Sequence, residues 1–254
     1  MTAKKNLFPL IELDEVESTN NYAMGWVRGI SLPNGHKAVT NGMAVLAYHQ
    51  TAGKGQRGKS WQSPPGESMS LSIVLKADFL RTSHAFSLLA AVTVAAAKVL
   101  ETFAGDAIAI KWPNDLYWNN RKAGGILIES TLKTDHYSWV VAGIGINVKQ
   151  KIFPADLQNP VSLKQITGRD MDIKELAIGI QGAVTEAISS LKTNTSFFFD
   201  DYNARLFKKN ETVKLKKGNR VFDALIKGVN KQGQLVTGEN GDSCFDFGEV
   251  EWKL

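Results

Sequence analysis

The sequence predicts an α/β fold followed by a small all-β barrel. Three observations carry that expectation. Short apolar strands alternate with helical segments as far as Lys209. Residues 84–103 form one long run, apolar enough for a mostly buried helix. Beyond Lys209 the texture changes to short strands separated by glycine-bearing turns.

The elements follow in order. L-I-E-L-D-E-V (10–16) alternates like a half-buried strand. Ser18, Thr19 or Asn20 then caps a helix beginning near Asn21. M-A-V-L-A-Y-H-Q (43–50) and S-M-S-L-S-I-V-L-K (68–76) are strands on either side of a glycine-rich loop. A-I-A-I-K-W (107–112) is a strand stopped by Pro113, and 124–133 with 138–148 form a strand pair. Helices are expected over 172–192 and 196–208. The tail, with turns K-K-G-N, N-K-Q-G and G-E-N-G-D, spaces its strands like a small barrel. The chain thus divides into residues 1–209 and 210–254.

Composition bounds the rest. The 254 residues are 43% hydrophobic and 22% charged, with net charge +5, which suits an anionic ligand or an acidic partner surface. The single cysteine, Cys244, excludes an intrachain disulfide and a cysteine-built metal site. It reads as a half-buried strand thiol rather than a nucleophile. The N-terminus shows no secretory pattern. The apolar run around Ala90–Ala97, interrupted by Thr93, reads as too short to cross a bilayer. A cytoplasmic location without a membrane role is expected.

G-K-G-Q-R-G-K-S-W (53–61) spells G-x-G-x-x-G, yet it does not open a helix as a dinucleotide loop must. It runs into W-Q-S-P-P-G and a strand, and two consecutive prolines do not begin a long helix. A kinase loop also lies between strands, but H-R-D is missing, and D-F-G (246–248) sits a few residues from the C-terminus. Two readings stand: a solvated basic turn, or a lid over an anion. For the lid, glycines expose backbone N–H groups, Lys54, Arg57 and Lys59 supply charge, and Trp61 offers a flat face.

Three more clusters end strands. K-W-P-N-D (111–115) offers Lys111 for phosphate and Asn114 with Asp115 as oxygen ligands for Mg²⁺, against an ordinary Asx turn. Lys122 precedes two glycines in R-K-A-G-G-I-L-I-E (121–129), where a ligand can approach, against an exposed hairpin lysine. Asn147 closes the glycine-spaced strand G-I-G-I-N-V, against simple strand packing.

Taken in order, E-S-T-N (17–20), Q-T-A-G-K-G-Q-R-G-K-S-W (50–61), K-W-P-N-D, R-K-A-G-G-I-L-I-E and G-I-G-I-N (143–147) resemble the biotin–protein ligases, and so does a small β domain ending in G-E-V-E-W. The resemblance implies a mixed-sheet catalytic domain related to class II tRNA synthetases, followed by an SH3-like barrel. Family members that repress transcription carry an N-terminal helix-turn-helix. With the first strand expected by residue 10, this chain resembles the monofunctional type, with no DNA role. The family loop is G-R-G-R-x-G, whereas Lys54 and Gln56 stand here at the arginine positions, with Arg57 adjacent to Gln56. Either Arg57 substitutes for the missing charge, or the activated intermediate is held less tightly.

The reaction implied by the resemblance has two steps. Biotin carboxylate attacks the α-phosphate of ATP, and an acceptor lysine then takes the acyl group from biotinyl-5′-AMP. No enzyme nucleophile is needed, in keeping with the lack of a Ser–His or Cys–His arrangement. By the same resemblance Ser18, Thr19, Asn20, Gln50, Gly53, Lys54, Gly55, Gln56 and Lys122 serve biotin. Arg57, Lys59, Trp61, Lys111, Asn114 and Asn147 serve the nucleotide. Lys122, Asp115 and Arg57 are the implied catalytic groups, and Asn114 with Asp115 would hold Mg²⁺. The acceptor would be a biotin carboxyl carrier protein, and a homodimer is left open. A lipoate–protein ligase, a non-catalytic biotin or nucleotide sensor and a DNA-binding regulator are the competing readings.

Overall fold

A computed structural model describes residues 7–30, 32–33, 35–155, 157–238 and 242–253. Its main sheet has seven strands. These are β1 (Leu10–Val16), β2 (Ala44–Gln50), β3 (Ser68–Lys76), β4 (Ile108–Lys111), β5 (Asp115–Trp118), β6 (Arg121–Lys133) and β7 (His136–Asn147). Their spatial order is β1-β2-β3-β7-β6-β5-β4. Only the β1–β2 pair in this sheet is parallel, so the sheet is mixed.

Strand alternation divides the core between the two faces. Ala44 and Leu46 of β2 join the main cluster, while Met43 and Val45 join a second one. Helix α2 (Ala85–Ala104) and helix α4 (Ile173–Ser190) cover the first face. Helix α1 (Thr19–Val27) covers the second through Ala23, Met24 and Trp26. Because both faces are covered, β3 is buried from Ser68 to Leu75, as its unbroken S-M-S-L-S-I-V-L requires.

Caps set the helix starts. Ser18 accepts from Asn21 N, which starts α1 two residues before the sequence-based expectation. Asp172 accepts from Lys174 N and Glu175 N at α4. Helix α3 (Leu163–Thr167), which its short pattern concealed, is held by a Ser162–Gln165 capping box. Helix α5 (Phe199–Ala204) is shorter than the expected 196–208.

The apolar helix is also longer than its central run indicated. By length and composition Thr82–Ala104 reaches the range of a membrane-crossing helix, but 56% of its apolar window is buried against the rest of the protein. It acts as the core helix of the first face.

The C-terminal strands β8 (Thr212–Lys217), β9 (Arg220–Val229), β10 (Leu235–Thr237), β11 (Ser243–Phe245) and β12 (Glu251–Lys253) form an antiparallel sheet ordered β11-β10-β9-β8-β12. The sheet does not close into a barrel among the described residues. Val213, Leu215, Ile226 and Leu235 belong to the same buried cluster as the main sheet. Cys244 lies in β11 as a strand residue but is exposed, not half-buried, because it occupies the outward position beside buried Phe245.

Candidate active site

A cavity of about 660 Å³ opens between the glycine loop, the main sheet and the C-terminal strands. One end is a polar network at the start of α1. Thr19 donates from its N and its Oγ1 to Gln50 Oε1 (2.8 and 3.1 Å), and Gln50 Nε2 donates to Ser70 Oγ. Asn20 donates to Glu129 Oε2 at 2.8 Å, and its Oδ1 lies 2.6 Å from the Ser72 hydroxyl. Asn20 is 3% exposed, so these partners fix which way its amide faces. Gly143 permits the arrangement, since a Cβ there would fall 2.3 Å from Asn20 Oδ1. Ser72, Glu129 and Gly143 were not among the sequence-predicted residues; their only signal was glycine spacing and the motif's closing Glu.

The glycine loop forms a small hairpin over the cavity. Gly55 N donates to Lys59 O, and Trp61 N donates to Gly53 O. Lys54 Nζ reaches Asn21 Oδ1 at 2.6 Å, which ties the loop to α1. Gly53 does not line the cavity. Its role is steric, because a Cβ would fall 2.3 Å from Trp61 O and 2.9 Å from Gln50 Nε2. Gln56 reaches Ile126 O through Nε2, and its Oε1 is buried without a partner among the described residues. Trp61 lies against Gly145, and its buried Nε1 is likewise unpartnered. Both residues line the cavity, so each brings an unsatisfied polar group close to its wall.

The cationic end is organised by a bulge. Asp115 pairs with Gly125 and Leu116 with Gly124, but Tyr117 pairs with Lys122, which leaves Ala123 as the extra residue. Without the bulge Lys122 would face the opposite side of the sheet. With it, Lys111, Asp115, Tyr117 and Lys122 share one face. Lys122 Nζ lies 2.6 Å from Asp115 Oδ1. The Lys122 backbone is clamped by Asn159 O and Val161 N.

Lys111 donates to Tyr117 Oη at 3.2 Å and lies over the rings of Tyr117 and Trp252. Burial pushes its ammonium down to about 8, opposed by Asp115 and reinforced by Lys122 and Lys59. Burial pushes the Tyr117 phenol up. The turn after Lys111 is fixed by Tyr202 Oη, which donates to Pro113 O, and by Trp112 Nε1, which donates to Gly233 O.

Fourteen of the sixteen sequence-predicted site residues line the cavity. Gly53 and Asn147 do not. Asn147 Nδ2 bridges the carbonyls of Lys122 and Val161, so here it braces the backbone behind the cavity. Asn114 is also partly committed, since its amide nitrogen donates to Ile126 O. Phe247, Glu251 and Trp252 join the wall unforeseen; the tail motif G-E-V-E-W was noted without being given a place in the site. Six basic side chains, from Lys54 to Lys253, face two carboxylates, Asp115 and Glu251, so the cavity favours an anion.

Comparison with known proteins agrees with this geometry. The pattern of the biotin/lipoate A/B protein ligase family matches residues 31–147. Residues 31–147, just under half of the chain, are therefore similar to a domain of that family. Over 235 residues it is 29% identical to the bifunctional ligase/repressor BirA of Escherichia coli, covering 90% of this chain and 69% of that protein. It is 27% identical to the biotin–[acetyl-CoA-carboxylase] ligase of Paracoccus denitrificans, covering 88% of this chain and 92% of that one. The Aquifex aeolicus biotin protein ligase, solved in complex with biotin and ATP, superposes with a TM-score of 0.78 at 26% identity. That match covers 96% of this chain and 98% of the other. The mixed sheet and the C-terminal antiparallel sheet thus match the fold of that ligase.

Proposed function

We propose that the chain is an ATP-dependent biotin–protein ligase that transfers biotin to a lysine of a biotin carboxyl carrier protein. The observation that carries this reading is a single cavity with a hydrogen-bonding end, a cationic end and the Lys122–Asp115 pair between them.

In the first step the biotin carboxylate oxygen attacks the α-phosphorus and pyrophosphate leaves. Lys122 offsets charge that builds on the acyl and phosphoryl oxygens, while Asp115 aims its ammonium. Lys59, Lys111 and Arg57 line the path of the phosphates. In the second step the acceptor amine attacks the acyl carbon, AMP leaves, and the amine gives up its proton. Positioning under the closed loop does most of the work, since the mixed anhydride is already activated.

Asn20, Thr19 and Gln50 are set to meet the biotin ring, with Ser18 behind them. Trp61 and Gln56 belong to the wall that the adenylate would meet. For Mg²⁺, no group of three or more His, Cys, Asp or Glu gathers among the described residues. Asp115 and the amide oxygen of Asn114 would hold it, with substrate phosphates supplying the other oxygens. The bound metal would neutralise phosphate charge. We assign residues 1–209 to the catalytic domain and 210–254 to the C-terminal one, and place the enzyme in the cytoplasm.

Single-turnover pyrophosphate release tests this. Release with biotin and Mg·ATP, and none with lipoate, is the expected outcome. Release with lipoate alone would move the chain to the other ligase branch, and no release with either would leave a binding protein.

A further inference from the structure

The tip of the glycine loop is held from across the cavity by the C-terminal strands. Arg57 has left-handed backbone angles (φ 55°, ψ 42°), which a non-glycine residue keeps only where surrounding contacts hold it. Its guanidinium carbon lies 5.7 Å from the centre of the Phe247 ring. At Gly248 (φ 89°) a Cβ would come within 1.6 Å of Arg57 Nη1, so the guanidinium occupies the space that this glycine leaves open. Among the described residues Arg57 makes no ion pair; the aromatic face and the glycine notch are what receive it.

Phe247 itself is 47% exposed and lies outside the buried clusters. Its ring meets Trp112 edge-on at 6.1 Å. Trp112 belongs to the turn that carries Asn114 and Asp115, and its Nε1 is tied to Gly233. A ring so exposed contributes little to the core. It joins the loop tip on one side to the turn beneath the Lys122–Asp115 pair on the other.

We propose that Phe247 and Gly248 form a clasp for Arg57 that keeps residues 53–61 over the cavity. They are positioning residues, acting on the ligand through Arg57 and the loop. The clasp deepens the ligase reading and rests on it for its catalytic consequence. A closed loop retains the acyl-adenylate until an acceptor amine arrives.

The test uses the full chain with Phe247→Ala, Phe247→Tyr, Arg57→Ala and the Phe247→Ala/Arg57→Ala double variant. Amide hydrogen exchange of residues 53–61 is measured without ligand, and release of enzyme-formed biotinyl-5′-AMP is followed in a chase. Phe247→Ala is expected to speed exchange in the loop alone and to raise the release rate about two- to fivefold. Phe247→Tyr, which keeps the ring, should match the unaltered protein. The double variant should release no faster than the more impaired single variant. Unchanged loop exchange in Phe247→Ala would overturn the clasp, as would additive release rates. If the unaltered protein forms no adenylate, the ligase reading fails while hydrogen exchange still decides the clasp.

Discussion

Lys122 Nζ stands 2.6 Å from Asp115 Oδ1 on the neighbouring strand, and the Ala123 bulge is what turns both to the same face. Gly125 lies beneath them, where a Cβ would approach Asp115 Oδ1 to 3.2 Å. Lys122→Ala removes the central cation while leaving a half-exposed strand position intact. Acceptor biotinylation should fall by about 10²–10³-fold with an unchanged thermal midpoint. Asp115→Asn keeps the ammonium but loses its aim, and should cost roughly tenfold. Steady-state rates for the two variants check both; near-normal turnover in Lys122→Ala would remove it from the chemistry.

Lys111 gives the site a pH dependence. Burial lowers its ammonium to about 8, so the cation is present below that pH and lost above it. ATP affinity should therefore weaken as pH rises through about 8. Lys111→Arg stays charged and should lose that step. The stability effect has the opposite sign. The folded chain releases this proton before the unfolded chain does, so folding stability gains from about pH 8 up to the ordinary lysine range. Lys111→Met should raise the melting point at neutral pH while weakening ATP binding about tenfold or more. Titration calorimetry and thermal scans across that range measure the two effects.

Gly143→Ala would drive a methyl group into Asn20, pushing it away from Glu129 and Ser72. Biotin KM should rise roughly 10- to 100-fold with a smaller change for ATP. Equal losses for both substrates would mean that the polar end does not hold biotin separately.

Much of this site was legible because its residues occupy strand ends and turns, where glycine and proline mark the chain plainly. The K-W-P-N-D turn and the 53–61 loop lie where their punctuation places them. The bulge at Ala123 was not legible, because nothing in R-K-A-G-G tells which residue is extra. The bracing contacts of Asn147 were not legible for a related reason: a strand-end amide looks the same whether it meets ligand or backbone. The aromatic wall from Phe247 and Trp252 depends on how the second sheet packs on the first, which local pattern does not encode. Strand β5 was lost because four residues after a proline turn show no period.

Tyr202 is fully buried in α5, and its hydroxyl donates to Pro113 O at 2.8 Å. Tyr202→Phe should destabilise the fold by about 1–2 kcal/mol, because the Pro113 carbonyl loses its buried partner. Denaturant unfolding measures the loss; a change within error would show that water replaces the phenol.

The central claim is that one cavity activates biotin and hands it to a protein lysine. Intact mass of a purified biotin carboxyl carrier domain, after incubation with the chain, biotin and Mg·ATP, tests it most directly. One added biotinyl group, dependent on ATP and absent with Lys122→Ala, is the predicted result. An unmodified carrier beside a lipoylated acceptor in the parallel reaction would contradict it.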